Sequence, residues 1–181
     1  MKAIQILIVS ILLTISASAQ FKSANLTAAG LTCAMCTKAI NTALEKLPFV
    51  ESIRPDIKSS SFDIKFKSGK AVNFDAMKTA VEEAGFSVAK LAVKTDFDNI
   101  AVKNDAHVQI GGKTFHFLKV QSSTLNGEKS MVIVDKNFLN GKEYKKYLTS
   151  TNMECVKTGK AASCCTQSGI ESGSRIYHVT I

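Results

Sequence analysis

Apolar positions between Lys22 and Val93 switch repeatedly between period two and the 3.6-residue period of a helix. Lys22 to Ala29 alternates loosely, as a strand does. From Cys36 the apolar residues Ile40, Ala43, Leu44 and Leu47 recur at helical spacing, and Pro48 ends that helix. Val50 to Ile57 reads as a second strand, with Pro55 marking an edge or a bulge. After the turn Lys58-Ser59-Ser60, the residues Phe62, Ile64 and Phe66 alternate with Asp63, Lys65 and Lys67, the pattern of a half-buried strand. Phe74, Met77, Val81 and Ala84 form the stripe of a second helix, with Asp75 near its start and Gly85 just past its end. Phe86 to Val93 is the last strand. The predicted order is β-α-β-β-α-β, the ferredoxin-like split βαβ arrangement, over residues 20–94.

The remainder, residues 95–181, reads as a small β-rich domain. Asp96-Phe97-Asp98-Asn99 has the composition of a linker. Gly111-Gly112 separates two strand-like runs, His107–Ile110 and Lys113–Gln121, as a hairpin. Asn126-Gly127 predicts another turn before the strand Met131–Val134. Asn140-Gly141 breaks the chain before a short helix over Lys142–Leu148. Ser150 to Ser174 is rich in Ser, Thr, Gly and Cys and predicts a loop; Arg175–Ile181 closes as a strand with Tyr177, Val179 and Ile181 on one face. The fold class expected is α+β, a βαββαβ domain followed by a small β domain in the form of an OB-type barrel.

The first residues carry an address. Lys2 supplies a positive n-region, Ile4–Ile15 an apolar core, and Ala17-Ser18-Ala19 a small-residue cleavage site. The run is short for a membrane span. Residues 1–19 are therefore expected to be a signal peptide, with a periplasmic or secreted mature chain starting at Gln20 and not held in the membrane. The formal net charge is +8, but the lysines are scattered and the chain has no tryptophan, so a nucleic-acid partner is not expected. No HExxH, phosphate loop or nucleophile arrangement argues for an enzyme.

The candidate chemistry is sulfur. Cys33 and Cys36 stand three positions apart between a strand and a helix, where a helix N-terminus favours thiolate over thiol. Two soft sulfurs suit Cu(I) above all, with Zn(II) or Hg(II) as alternatives, and two ligands cannot close a tetrahedral zinc site. The spacing alone leaves metal, a local disulfide and a redox dithiol open. Of five cysteines, the other three are Cys155, Cys164 and Cys165. Adjacent cysteines seldom bond to each other, so Cys155 paired with Cys164 or Cys165 is the plain expectation. The functional alternative is a second soft-metal site completed by Met153, His116 or His178. Singly, His107, His116 and His178 are expected as ordinary strand or surface residues.

Gly30-Leu31-Thr32-Cys33-Ala34-Met35-Cys36, the βαββαβ order and Ala84-Gly85-Phe86 together resemble the heavy-metal-associated domain, the family of copper chaperones, the N-terminal domains of copper-transporting ATPases and the periplasmic mercury-binding protein. The resemblance spans Ala24 to Val93. It implies that Cys33 and Cys36 are the metal thiolates, that Phe86 packs beside the loop, and that metal passes to and from a donor or acceptor protein. Leu31 replaces the family's usual Met, a packing residue. Met35 is unusual between the cysteines and offers a thioether, while Thr32 is expected to brace the loop. A thioredoxin-like site pairs its CxxC with a preceding Trp and an opposed proline, and here Trp is absent and the prolines are Pro48 and Pro55. The redox protein and an interaction module with an oxidised CxxC remain as rivals.

Overall fold

A computed structural model describes residues 21–31, 33–166 and 168–181. The expected signal segment and Thr32 lie outside these. Five elements lead into a long strand: β1 (Phe21–Ala29), α1 (Ala34–Glu45), β2 (Val50–Asp56), β3 (Ser61–Phe66), α2 (Phe74–Glu83), then β4 (Ser87–Val102). β1 lies between β3 and β4, antiparallel to both, and β2 pairs outside β3. This is the expected βαββαβ order, and Pro55 sits on β2, an edge strand, where proline is tolerated.

α1 turns Ile40 and Leu44 inward, and α2 turns Phe74, Met77, Ala80 and Val81 inward. They meet the buried Leu26, Phe62, Ile64, Leu91 and Val93 of the sheet. Asn73 caps α2 by accepting a hydrogen bond from the Ala76 amide at 3.0 Å. Gly85 follows the helix with φ +89°, the left-handed turn that glycine adopts without a Cβ penalty.

The second half does not form a barrel of its own. β5 (His107–Ile110), β6 (Lys113–Phe117), β7 (Ser123–Ile133) and β8 (Ile176–Thr180) extend the first half's sheet, giving one eight-stranded open order β2-β3-β1-β4-β7-β8-β6-β5. The expected linker Asp96–Asn99 lies inside β4, and the expected turn Asn126-Gly127 lies inside β7. The two signals face one another. Phe97 pairs with Gly127, and the register slips between Phe97 and Ile100. Asn99 and Gly127 both take positive φ there, +49° and +68°. Residues that usually reverse a chain have been used instead to make a bulge, which bends a continuous strand pair. The hairpin at Gly111-Gly112 is as expected, with His107 opposite His116. The C-terminal strand ends at Thr180, and Ile181 is exposed.

α3 (Gly141–Leu148) and two one-turn helices, α4 (Cys155–Thr158) and α5 (Ser163–Thr166), occupy the segment expected to be helix and then loop. Side chains on β6 and β8 alternate between two cores. Phe115, Phe117, Tyr177 and Val179 join the main core, whereas Leu118 and Ile176 join a smaller one with Val134, Cys155, Val156, Ala161, Cys165 and Ile170.

An aromatic and ionic seam ties the halves together. The Phe74 ring lies edge-on to Phe21 and Tyr177, with centroids 5.1 and 5.3 Å away. Asp75 beside it accepts hydrogen bonds from the Tyr177 hydroxyl at 2.8 Å and from Arg175 Nε and Nη2 at 2.9 and 3.0 Å. Burial works against the Asp75 carboxylate, but Arg175 and the Tyr177 hydroxyl outweigh it and hold its pKa below the ordinary range. A carboxylate depressed in the folded state stabilises above its unfolded pKa, roughly 4, and that contribution disappears as pH falls through the folded value. Thermal melts of wild type and Asp75→Asn should therefore differ at neutral pH, wild type being the more stable, and the gap should narrow as pH falls below about 4. A constant gap across that range would show that the Asp75 charge contributes nothing.

Candidate metal centres

Two sulfur clusters stand at different places in the fold. The first is the end of β1. Gly30 takes φ +83°, and a Cβ placed there would lie 3.9 Å from Phe86 Cδ1, so the Phe86 ring borders the loop as expected. Leu31 and Phe86 are half-buried against the main core. Cys33 is the N-cap of α1, with extended backbone, and its sulfur accepts from the Cys36 amide at 3.4 Å. Its Sγ lies 2.9 Å from Cys36 Sγ, far longer than the roughly 2.05 Å of a disulfide. Cys33 is exposed and Cys36 half-exposed. The Cys36 thiol, the Cys36 amide and the Met35 amide all favour a negative sulfur and lower the Cys33 pKa. Met35 is 76% exposed, so the thioether stands in solvent on the first turn of α1. The arrangement offers two adjacent, accessible sulfurs, one of them poised toward thiolate.

The second cluster is buried at the far end of the sheet. His107, His116 and His178 form a row across β5, β6 and β8, because His107 pairs with His116 and His116 with His178. The His107 and His116 rings stack at 4.4 Å, and His107 Nε2 is buried without a hydrogen-bond partner among the described residues. His116 and His178 are fully buried, and both face Cys155 Sγ, at 3.5 Å from His116 Nδ1 and 3.5 Å from His178 Nε2. Their outer nitrogens meet carboxylates: His178 Nδ1 lies 2.5 Å from Asp135 Oδ1, and His116 Nε2 lies 3.2 Å from Asp105 Oδ1. Burial and the facing His178 and His107 push the His116 pKa down to about 4, so its ring is neutral at physiological pH. Burial raises the Cys155 thiol.

Cys164 and Cys165 approach from α5, and the sulfurs of Cys155, Cys164 and Cys165 all lie within 4.8 Å of one another. All are free thiols, so the expected disulfide is not formed. The structure thus brings His116 and His178 to Cys155, as the metal alternative required. The acids Asp105 and Asp135 and the third histidine, His107, were not expected. The hairpin at Gly111-Gly112 carries the His107–His116 alignment locally; the alignment with His178 depends on a parallel pairing across some sixty residues, which no local signal encodes.

Residues 26–87 match the family model described as "Heavy-metal-associated domain". A probable copper-exporting P-type ATPase of Archaeoglobus fulgidus is 32% identical over 74 residues, 40% of this chain and 9% of that protein. The chain therefore spans only a small part of that relative. Among solved structures, the CopZ metallochaperone is 25% identical, covering 37% of this chain and 98% of its own, with a TM-score of 0.35. Oxidized MerP from Ralstonia metallidurans CH34 is 21% identical, covering 38% and 97%, with a TM-score of 0.34. The segment 26–87, with Cys33 and Cys36 at the entrance to its first helix, is a heavy-metal-associated domain.

Proposed function

We propose that this protein binds Cu(I) through Cys33 and Cys36 and hands it to a partner protein by ligand exchange. The observation that carries the reading is the pair of accessible, unbonded sulfurs 2.9 Å apart at the N-terminus of α1. Copper is the preferred ion because thiolates are soft ligands and only two are offered. The copper named for the ATPase relative supports the same choice. A two-sulfur site leaves coordination open to a third ligand from a partner, so metal moves without first being released to water. The Phe86 ring borders the loop and limits solvent on one side.

The apolar run Ile4–Ile15 and Ala17-Ser18-Ala19 support an exported protein. Mass spectrometry of the exported chain should place its first residue at Gln20; a chain retaining Met1 would refute export by cleavage.

Anaerobic titration of the reduced protein with Cu(I) against a chromophoric chelator tests the central claim. One tight equivalent is expected and should be absent from Cys33→Ser/Cys36→Ser. No tight copper in wild type, with both loop cysteines oxidised on isolation, would favour a redox or interaction role. Zn(II) and Hg(II) titrated in parallel decide the ion.

A further inference from the structure

The sulfur–imidazole cluster at the other end of the sheet is independent of the loop and outside the matched segment 26–87. With both imidazoles neutral, its hydrogen bonding does not close by itself. Each carboxylate can only accept, so the N–H of His178 points to Asp135 and that of His116 to Asp105, at 2.5 and 3.2 Å. The two remaining ring nitrogens are then acceptors, and both face the one sulfur of Cys155 at 3.5 Å. A thiol has a single proton and satisfies one of them. A cation between the sulfur and the two nitrogens satisfies all three.

The spacing around Cys155 Sγ fits such an ion, and Cys155 is shared by both close groups of donors, one of His107, His116 and Cys155, the other of Cys155, Cys164 and Cys165. Bonds of about 2.3 Å to sulfur and 2.0–2.1 Å to nitrogen put tetrahedral ligands about 3.8 Å (S···S) and about 3.6 Å (S···N) apart. The corresponding separations here are 3.5 Å for Cys155 Sγ to each imidazole, and the sulfurs of Cys164 and Cys165 lie within 4.8 Å of Cys155 Sγ. The carboxylates behind the imidazoles are the outer partners that orient metal-binding histidines and raise their basicity. Arg175 extends the network, lying 2.8 Å from Asp135 Oδ2.

We infer that His116, His178, Cys155 and one of Cys164 and Cys165 form a second, resident metal site for Zn(II). A divalent ion neutralises two thiolates in a buried place, whereas Cu(I) would leave net negative charge there. Four ligands close the shell, so this ion is held rather than passed on. The site also gives the segment 150–174 a reason to fold. That segment has two one-turn helices over a core of few residues, and a metal bridging β6, β8, α4 and α5 staples it to the sheet.

The test uses the full mature chain carrying Cys33→Ser/Cys36→Ser, so that the exposed loop is silent and the result is separate from the copper proposal. Co(II) replaces Zn(II) as a spectroscopic probe. One equivalent is expected, with the intense visible bands of a tetrahedral site and a sulfur-to-cobalt charge-transfer band, displaced by Zn(II). Cys155→Ser on that background should remove the charge-transfer band or the binding, and single Cys164→Ser and Cys165→Ser variants identify the fourth ligand. Asp105→Asn lies at the rim, keeps a residue that tolerates the φ of +60° at this position, and should weaken affinity about 10–100-fold while retaining the cobalt spectrum. Far-UV circular dichroism of the metal-free variants separates a lost site from a lost fold, and Asp105→Asn carries the test if Cys155→Ser does not fold. Three free thiols with no Co(II) or Zn(II) bound would overturn the inference. So would a disulfide from Cys155 in the purified chain, or binding of Cu(I) with none of Zn(II).

Discussion

Cys33→Ser should abolish tight Cu(I) binding at the N-terminal loop while leaving the fold as stable as wild type. The two effects separate because Cys33 has two unrelated jobs. As an N-cap its sulfur accepts a long bond, 3.4 Å, from the Cys36 amide. Serine is among the preferred N-cap residues and its hydroxyl accepts such a bond better, so α1 keeps or gains stability. As a ligand, a serine hydroxyl is hard and stays protonated, so half the donor set is lost. Removing an outer-shell partner of a metal ligand typically costs 10–100-fold in affinity, and losing the ligand itself should exceed about 100-fold. Competition titration reads the affinity, and thermal unfolding of the metal-free protein reads the fold. Unchanged copper affinity would remove Cys33 from the site. A large fall in metal-free melting temperature would mean that the thiol acts mainly as structure.

Phe74→Ala should lower the stability of the whole chain, not of its first half alone. The ring is fully buried, with Phe21, Phe115 and Tyr177 around it at centroid distances of 5.1, 6.4 and 5.3 Å. Truncating such a phenylalanine costs about 3–5 kcal/mol, a large part of the 5–15 kcal/mol that typically holds a domain together. The chain offers a clean reporter. It has no tryptophan, and its tyrosines, Tyr144, Tyr147 and Tyr177, all lie in the second half. Tyr147 packs on the smaller core, away from Phe74. If the continuous strands β4 and β7 make one cooperative unit, tyrosine fluorescence and far-UV circular dichroism should share one transition and fall together. A tyrosine midpoint that stays in place while the far-UV signal moves would show two independently stable halves.

The first half was legible because its signals are local. Alternation in Phe62, Ile64 and Phe66, the helical stripe Phe74-Met77-Val81, and Gly85 after the helix act within a few residues, and the structure uses each as expected. The loop Cys33–Cys36 was legible for the same reason: spacing and the helix that follows are both written in one short stretch. The second half misled where a local signal had a non-local use. Asp96–Asn99 and Asn126-Gly127 have turn chemistry, but a bulge needs the same left-handed backbone as a turn, and only the partner strand tells the two apart.

The buried cluster shows the division most clearly. Composition specified three cysteines in one polar stretch and three histidines scattered over the second half, together with the alternatives of a disulfide or a metal site. The parallel pairing of β6 with β8 puts His116 beside His178, and the folding of α4 and α5 over that face brings the sulfurs to them. Asp105 and Asp135 then select which nitrogen of each ring faces Cys155. The sequence by itself determined which sulfur and imidazole side chains are available and the local elements, because side-chain identity and short-range periodicity need no partner. Only the tertiary structure decided the single open sheet and the second cluster, because strand pairing between distant segments depends on burial that no local window contains.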